Sequence, residues 1–311
     1  MKFWPNAIEL AEELKKNIKG KILPNHSLKN LTWFKVGGLA EILFIPEDLD
    51  DLVTLLKIKP NDTNITIIGN ASNLLVRDDG IPGIVITLGR SFNYIEKSKN
   101  NKIICGGALQ NKKLSSYALT NNIGGVAFLS NIPGTIGGSI KMNSGAHGYQ
   151  ISDILIKANI INSKGDLMER SFTDLSFGYR KSNITDDSLC VSATITGYPS
   201  TREQILSEIE TFKTQRVLSQ PIAEKTGGST FKNPTNKKAW ELIQEAGCAD
   251  LSVGDAFLSK LHSNFIINRG SATAYQIELL GERVRKTVME ETGVNLEWEI
   301  RRLGQGPSIN L

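Results

Sequence analysis

The sequence is poor in residues that build metal and disulfide sites. Among 311 residues there are three cysteines, Cys105, Cys190 and Cys248, and three histidines. The cysteines are far apart and form no CxxC pair, which argues against a disulfide framework and against zinc. Buried reduced thiols are expected, and no metal. Long apolar runs are also missing, and no window reaches the roughly eighteen residues of a membrane helix. The first twenty residues lack a signal peptide's apolar core, because Glu9, Glu12 and Glu13 interrupt it. A cytoplasmic protein without membrane contact is expected. The net charge is only +4, and no Lys/Arg run carries interleaved aromatics, so nucleic acid is not an expected partner. There is no GxxxxGK[ST] P-loop, no GxGxxG dinucleotide turn and no GxSxG elbow. Fixed-period repeats and low-complexity linkers are absent too.

What is present is a folded α+β pattern. A hydrophobic fraction of 40% and a charged fraction of 22% suit a globular protein with room for two domains. Short β-branched runs alternate with glycine turns over the first two-thirds: AEILFIP, NITIIGN, GIVITLG, NKIICGG, DILIKANIIN and LCVSATITGYP. Their length and composition predict strands. Helices are expected near the N-terminus, with Ile8, Leu10, Ala11 and Leu14 on or near one face, over Asp48 to Leu56, and over Lys112 to Asn121. The texture changes near residue 200, where a long helix with an apolar set of Ile205, Leu206, Ile209, Phe212 and Val217 begins. A domain boundary is placed there. Further on, Thr273 and Gln276 form a capping box, Ile277, Leu280, Val284 and Val288 form a helical stripe, and Gly293 is a C-cap. Alternation in VNLEWEIR then predicts a strand with Glu297 and Glu299 on its polar face.

Three glycine turns follow predicted strands: IIGNASNLL, ICGGALQ and NIPGTIGGSIKMNSGAHG. The last holds five glycines in eighteen residues, Asn131 to Gly148. Such a density serves either a run of turns or backbone that must come close to a ligand, and exposed turn amides suit phosphate oxygens. In GGSTFKNP, Ser229 is a proton donor, a phosphate ligand or a plain turn serine. In FGYRKS, Arg180 suits bidentate recognition of a carboxylate or phosphate, or is simply solvated. His147 and His262 read as structural.

Taken in order, these motifs are similar to the flavin-dependent UDP-N-acetylenolpyruvoylglucosamine reductases. The resemblance runs through NLTWFKVGG, GNASNLLVRD, IPGTIGGSIKMNSGAHG, FGYRKS, GSTFKNP, LSKLHSNFIIN and LEWEIRRLG, over nearly the whole chain. It implies a vanillyl-alcohol-oxidase (PCMH) type FAD-binding domain of two α/β subdomains over residues 30–199, after a lead-in over 1–29. A smaller α/β substrate domain would follow over 200–311. It implies FAD and NADPH as cofactors, UDP-N-acetylglucosamine enolpyruvate as substrate and a monomer. The cofactor would lie against Gly69, Asn70, Ala71, Ser72, Asn73 and Leu74 on one side. On the other would be Pro133, Gly134, Ile136, Gly137 and Gly138, with Asn143 and Gly145 beyond. By the same resemblance Ser229 is the proton donor, and Arg180 and Glu299 polarise the substrate carboxylate. Tyr179, Arg216, Lys232 and Asn233 would touch the nucleotide sugar.

The sequence departs from that pattern in three places. The usual GxGSN turn carries Ala71, which tolerates positive φ poorly. Leu261 replaces a lysine common in relatives. No tyrosine lies between Ser182 and Tyr198, which matches the subclass without a substrate-capping loop. Two other functions remain open at this point: another FAD oxidoreductase of the same fold, and a nucleotide-sugar-binding protein without catalysis.

Overall fold

The computed structural model describes residues 2–97 and 99–309, with the side chain of Lys97 left aside. The first lobe is a four-stranded sheet in the order Lys21–Ser27, Leu39–Ile45, Ile81–Ile86, Ile65–Ile67, antiparallel at the first pair and parallel after it. Successive side chains of a strand face opposite ways, and the packing follows. Ile42, Phe44, Ile84 and Ile86 face helices α1 (Ala7–Lys15) and α2 (Leu49–Ile58), while Leu43 and Val85 join a second cluster on the other face. Asp48 caps α2, its carboxylate accepting from the Asp51 amide at 2.8 Å. In α1 the buried stripe is Ala7, Ala11 and Leu14, so Ile8, expected on that face, lies exposed.

The second lobe is a five-stranded antiparallel sheet ordered Leu167–Ser171, Leu155–Ile161, Leu189–Thr196, Lys102–Gly106, Ile95–Lys97. Helices α3 (Asn111–Thr120) and α4 (Ile136–Met142) cover it, and Leu114, Ile136, Ile140, Ala158 and Ile195 build its core. Helix α5 (Arg202–Ser219) lies against this lobe through Phe212, on the segment Ala127–Asn131. Only Ile205 of α5 is buried; Leu206 and Val217 are exposed, because the helix touches the lobe along a narrow seam.

The C-terminal unit packs helices α6 (Ala239–Glu245) and α7 (Ala274–Thr292) on a small antiparallel sheet, Ser252–Val253, Ala256–Leu258 and Ile266–Asn268. Helix α7 begins with the expected Thr273–Gln276 capping box, buries Ile277, Leu280, Val284 and Val288, and ends at Gly293 with φ +70°. Its core also takes in Phe34, Val36 and Leu75 from the first lobe. The segment after α7 is extended and alternates as expected, yet within Val294–Ile300 it pairs only where Trp298 faces Phe231. A strand forms only at Arg301–Leu303, which runs parallel to Leu74–Val76 of the first lobe. That pairing brings the chain's last glutamate, Glu299, beside Asn73.

Candidate active site

The three units meet at a cleft of about 450 Å³. One wall is the turn Gly69–Leu74. It is tied to the opposite wall by Ser72, whose hydroxyl donates to the Pro133 carbonyl at 3.3 Å. Ala71 takes φ +49° despite its methyl group, which is buried, and its carbonyl accepts from the Trp33 amide at 3.4 Å. The opposite wall is Asn131 to Ala146. Gly134 turns the chain at φ +119°, and Thr135 caps α4, its hydroxyl accepting from the Gly138 amide at 3.3 Å. Gly137 allows a close approach instead. A Cβ there would lie 3.1 Å from the carbonyl oxygens of Cys190 and Gly107, so the helix can rest directly on the sheet.

The backbone amides of the two walls fall into two sets. The Ile136 and Gly137 amides donate to Leu109 and Gly107, both at 2.9 Å. Among the described residues, the amides of Asn70, Ala71, Ser72, Gly134 and Thr135 donate to no chain acceptor. All five residues line the cleft and four of them are partly exposed, so these amides are open to a ligand or to water. Two further polar atoms on the cleft are buried without a partner, Thr226 Oγ1 and Asn131 Nδ2. Sequence reasoning gave neither residue a role, because no local pattern marks a side chain that loses its partner through tertiary burial.

The far end of the cleft gathers Ser229, Arg180 and Glu299. Arg180 Nε donates to Glu299 Oε1 at 2.9 Å, its Nη2 donates to the Gly145 carbonyl at 3.1 Å, and its guanidinium lies 5.1 Å from the Tyr179 ring centroid. Arg180 sits at φ +55°, a conformation that costs an L-residue about 1–2 kcal/mol. Burial pushes the Glu299 carboxyl above its ordinary range; Arg180, and more weakly Lys232, oppose that shift without cancelling it. Ser229 follows Gly228 at φ +87°, and among the described residues its hydroxyl has no partner. The two chain segments are set by a short ladder. Lys232 N donates to the Glu297 carbonyl and Glu299 N to the Thr230 carbonyl, both at 2.8 Å. Asn73 Nδ2 donates to the Glu299 carbonyl at 3.1 Å, joining this end to the Gly69–Leu74 turn.

Arg216 reaches the cleft from α5, its Nη1 on the Asn131 carbonyl at 2.6 Å and its Nε on Gln220 Oε1 at 3.2 Å. Burial lowers its pKa, and no carboxylate pairs with it among the described residues. Other residues singled out in the sequence lie off the cleft lining. Ile136 is core, and Asn143, left-handed at φ +42°, spends its amide on Gln150 Oε1 and the Gly178 carbonyl, both at 3.0 Å. Asn143 thereby holds the Gly178–Arg180 turn. Tyr179 is half exposed beside Arg180. Lys232 pairs with Glu297 at 3.2 Å, and Asn233 Oδ1 accepts from the Ala239 amide at the start of α6, 3.0 Å away. His147 stacks on Phe212 with centroids 4.3 Å apart, and His262 packs against Phe265 and Trp240, where burial lowers its pKa. Leu261 is exposed. All three thiols are buried, and burial pushes Cys190, which does line the cleft, up to about 12.

A two-lobed α+β fold with phosphate-ready turns around one cleft is the architecture of an FAD-dependent oxidoreductase, and residues 40–171 match the profile of the FAD binding domain. Residues 220–303 match the C-terminal domain of UDP-N-acetylenolpyruvoylglucosamine reductase. The reductase of that name from Novosphingobium aromaticivorans is 42% identical over 296 residues, covering 95% of this chain and all of its own. That from Methylorubrum extorquens is 45% identical over 289 residues, 93% of either chain. The crystal structure of the Thermus caldophilus reductase superposes with a TM-score of 0.79 at 30% identity, covering 92% of this chain and 100% of that one. The chain belongs to the UDP-N-acetylenolpyruvoylglucosamine reductase family, flavoenzymes of peptidoglycan synthesis. The cleft fits FAD: unpaired amides on two facing turns suit its phosphates, and the orphaned Thr226 and Asn131 offer polar contacts along its length. Among the described residues, no helix is long and apolar enough to cross a membrane.

Proposed function

We propose that the chain reduces UDP-N-acetylglucosamine enolpyruvate to UDP-N-acetylmuramate with NADPH, as a monomer in the cytoplasm. The observation that carries this reading is a serine hydroxyl, Ser229, that has no chain partner among the described residues and lines the same cleft as a largely buried Arg180–Glu299 pair. The chemistry that bound FAD supplies is hydride transfer, taken from NADPH and delivered to the methylene carbon of the enolpyruvyl ether. The neighbouring carbon, next to the carboxylate, then carries enolate character and needs a proton. Ser229 Oγ gives that proton; a hydroxyl is a weak acid, but an enolate is a strong base. Arg180 holds the carboxylate of the substrate, and Glu299 fixes the guanidinium and stabilises the enol form. One proton and one hydride are added across the double bond, and NADP⁺ leaves.

In this reading the free amides of Asn70, Ala71, Ser72, Gly134 and Thr135 hold the FAD pyrophosphate, with Gly69, Asn73, Leu74, Pro133, Gly138 and Gly145 shaping the cradle. Ile136, Gly137 and Asn143 support it from behind rather than by donating. Arg216, paired with no carboxylate among the described residues, suits a phosphate. Lys232, Asn233 and Tyr179 are assigned to the sugar-nucleotide end.

The test is the visible spectrum of the FAD-loaded protein under anaerobic conditions. Flavin bands should bleach with NADPH and return with UDP-N-acetylglucosamine enolpyruvate. Bands that bleach and stay bleached would point to another FAD oxidoreductase, and bands that never bleach to a binding protein. Ser229→Ala should bleach normally and recover roughly a hundredfold more slowly, the scale of general acid catalysis. Equal slowing of both halves would remove Ser229 from the role.

A further inference from the structure

The Ser229 and Glu299 segments are joined through a residue that does not line the cleft. Their backbones are joined through the Phe231–Trp298 bridge and the Glu299 N to Thr230 carbonyl bond of 2.8 Å. Four groups hold the partly buried Trp298. Its indole N–H donates to Glu282 Oε1 on α7 at 2.8 Å, and its ring centroid is 5.2 Å from that of the buried Phe231. The guanidinium carbon of Arg302 lies 4.6 Å from the ring centroid. Glu282 is itself locked, accepting from Arg302 Nη1 at 2.8 Å and from Arg285 Nη1 at 2.6 Å. Arg285 in turn donates through Nε to the Leu296 carbonyl at 2.8 Å, two residues before Trp298.

The fourth side is the surface of α7 at Gly281. Glycine is the least favourable residue in a helix interior after proline. Gly281 has no positive φ to justify it. A Cβ there would stand 2.2 Å from Trp298 Cη2 and 2.4 Å from Cζ2. The helix therefore carries a glycine where the indole's outer edge lies down on it. Any side chain at 281 would push the ring off the helix, while the bond to Glu282 satisfies the indole N–H.

We infer that Trp298, seated on Gly281 and tethered to Glu282, is a positioning residue that sets the Ser229–Glu299 spacing for the protonation half of the reaction. This inference rests on the roles proposed above for Ser229 and Glu299. A displacement of about 1 Å at a reacting group costs up to a hundredfold in rate, so the device acts on rate without touching substrate.

The test is anaerobic stopped-flow on the FAD-loaded full chain with Trp298→Phe, Gly281→Ala, the double variant and Glu299→Gln. Each of Trp298→Phe and Gly281→Ala should slow flavin reoxidation by UDP-N-acetylglucosamine enolpyruvate about tenfold or more. Reduction by NADPH and FAD content should stay within about twofold, which a general loss of packing would not allow. The double variant should reoxidise no more slowly than Trp298→Phe alone, because a phenyl ring lacks the edge that Ala at 281 would strike. Multiplying defects, or equal slowing of both halves, would overturn the inference. Normal reoxidation in both single variants with a slow Glu299→Gln would overturn it alone. Normal reoxidation in Glu299→Gln would overturn the reading beneath it. If Gly281→Ala fails to fold, Trp298→Phe decides.

Discussion

Glu299 is a carboxylate whose burial works against its own charge, and this has a consequence for stability. Its pKa in the folded chain is raised above the ordinary 4.5, chiefly by burial, with Arg180 opposing. A carboxyl with a raised folded pKa favours folding below its unfolded pKa. That favour is lost as pH rises through the folded value. Glutamine does not titrate. The melting temperature of Glu299→Gln, relative to the unsubstituted chain, should therefore climb as pH goes from about 4 to about 7. Reoxidation by substrate should slow in the same variant. A difference in melting temperature that stays flat with pH would mean that Glu299 is not desolvated. The residues named from sequence motifs do converge: Ser229, Arg180, Glu299 and Arg216 line one cleft. Others were legible as motif members but not in what they touch. Asn143 and Asn233 spend their side chains on the chain itself, on the Gly178 carbonyl and the Ala239 amide. Thr226 and Asn131 were illegible, since a missing hydrogen bond exists only once the fold has excluded water. Ala71 warned of strain in the sequence, and it takes φ +49°.

At the scale of elements, α7 joins the C-terminal unit to the first lobe. Arg77 grips Glu278 with two bonds, Nε to Oε2 at 2.8 Å and Nη2 to Oε1 at 2.7 Å, and Arg302 adds a third at 3.1 Å. Asp78, the next residue, accepts from the Ala274 and Tyr275 amides at 3.0 and 2.8 Å and so caps the helix from another lobe. Burial raises the Glu278 pKa, but Arg77 and Arg302 outweigh it, and the net shift is downward. A depressed carboxyl stabilises above its unfolded pKa and loses that contribution as pH falls through the folded value. Glu278→Gln should therefore cost roughly 2 to 3 kcal/mol at neutral pH, below the roughly 3–5 kcal/mol for breaking a fully buried pair, because Arg77 is partly exposed. Its deficit should shrink in acid, as urea melts at several pH values would reveal; a deficit unchanged in acid would assign it to packing. The helix itself was plain from its capping box, stripe and terminal glycine, which are local signals. The neighbouring strand was not. Alternation over Val294–Arg301 reports which side is buried, but pairing needs a partner strand, and only Phe231 and then Leu74–Val76 supply one. Helix α5 misled in the opposite direction, because its apolar residues outnumber the contacts its seam can offer.

The whole molecule has three interlocking cores around one cleft. Ile161, Leu189 and Val191 of the second lobe pack into the first lobe's cluster, Phe34, Val36 and Leu75 of the first lobe pack into the C-terminal one, and all three units lend residues to the cleft wall. Direct ties across the cleft are few. Ser72 reaches Pro133, Arg180 reaches Glu299, and Asp186 lies between Lys141 and Arg301, 2.8 Å from either. The free amides of the two facing turns belong to different lobes, so a dinucleotide held by both is itself a tie between them. A ligand that binds only the folded form adds stability by mass action, about 2.7 kcal/mol at a hundredfold excess over its Kd. FAD bridging two lobes should do more than raise one melting temperature. Calorimetry of the FAD-loaded chain should give a single transition. The FAD-stripped chain should melt lower and over a broader range, as the lobes lose their common ligand and unfold less cooperatively. Added FAD should restore the sharp transition as the flavin absorbance returns. If stripping shifts the midpoint without broadening it, the direct contacts already couple the lobes, and FAD is a passenger in a rigid cleft rather than part of what holds it closed.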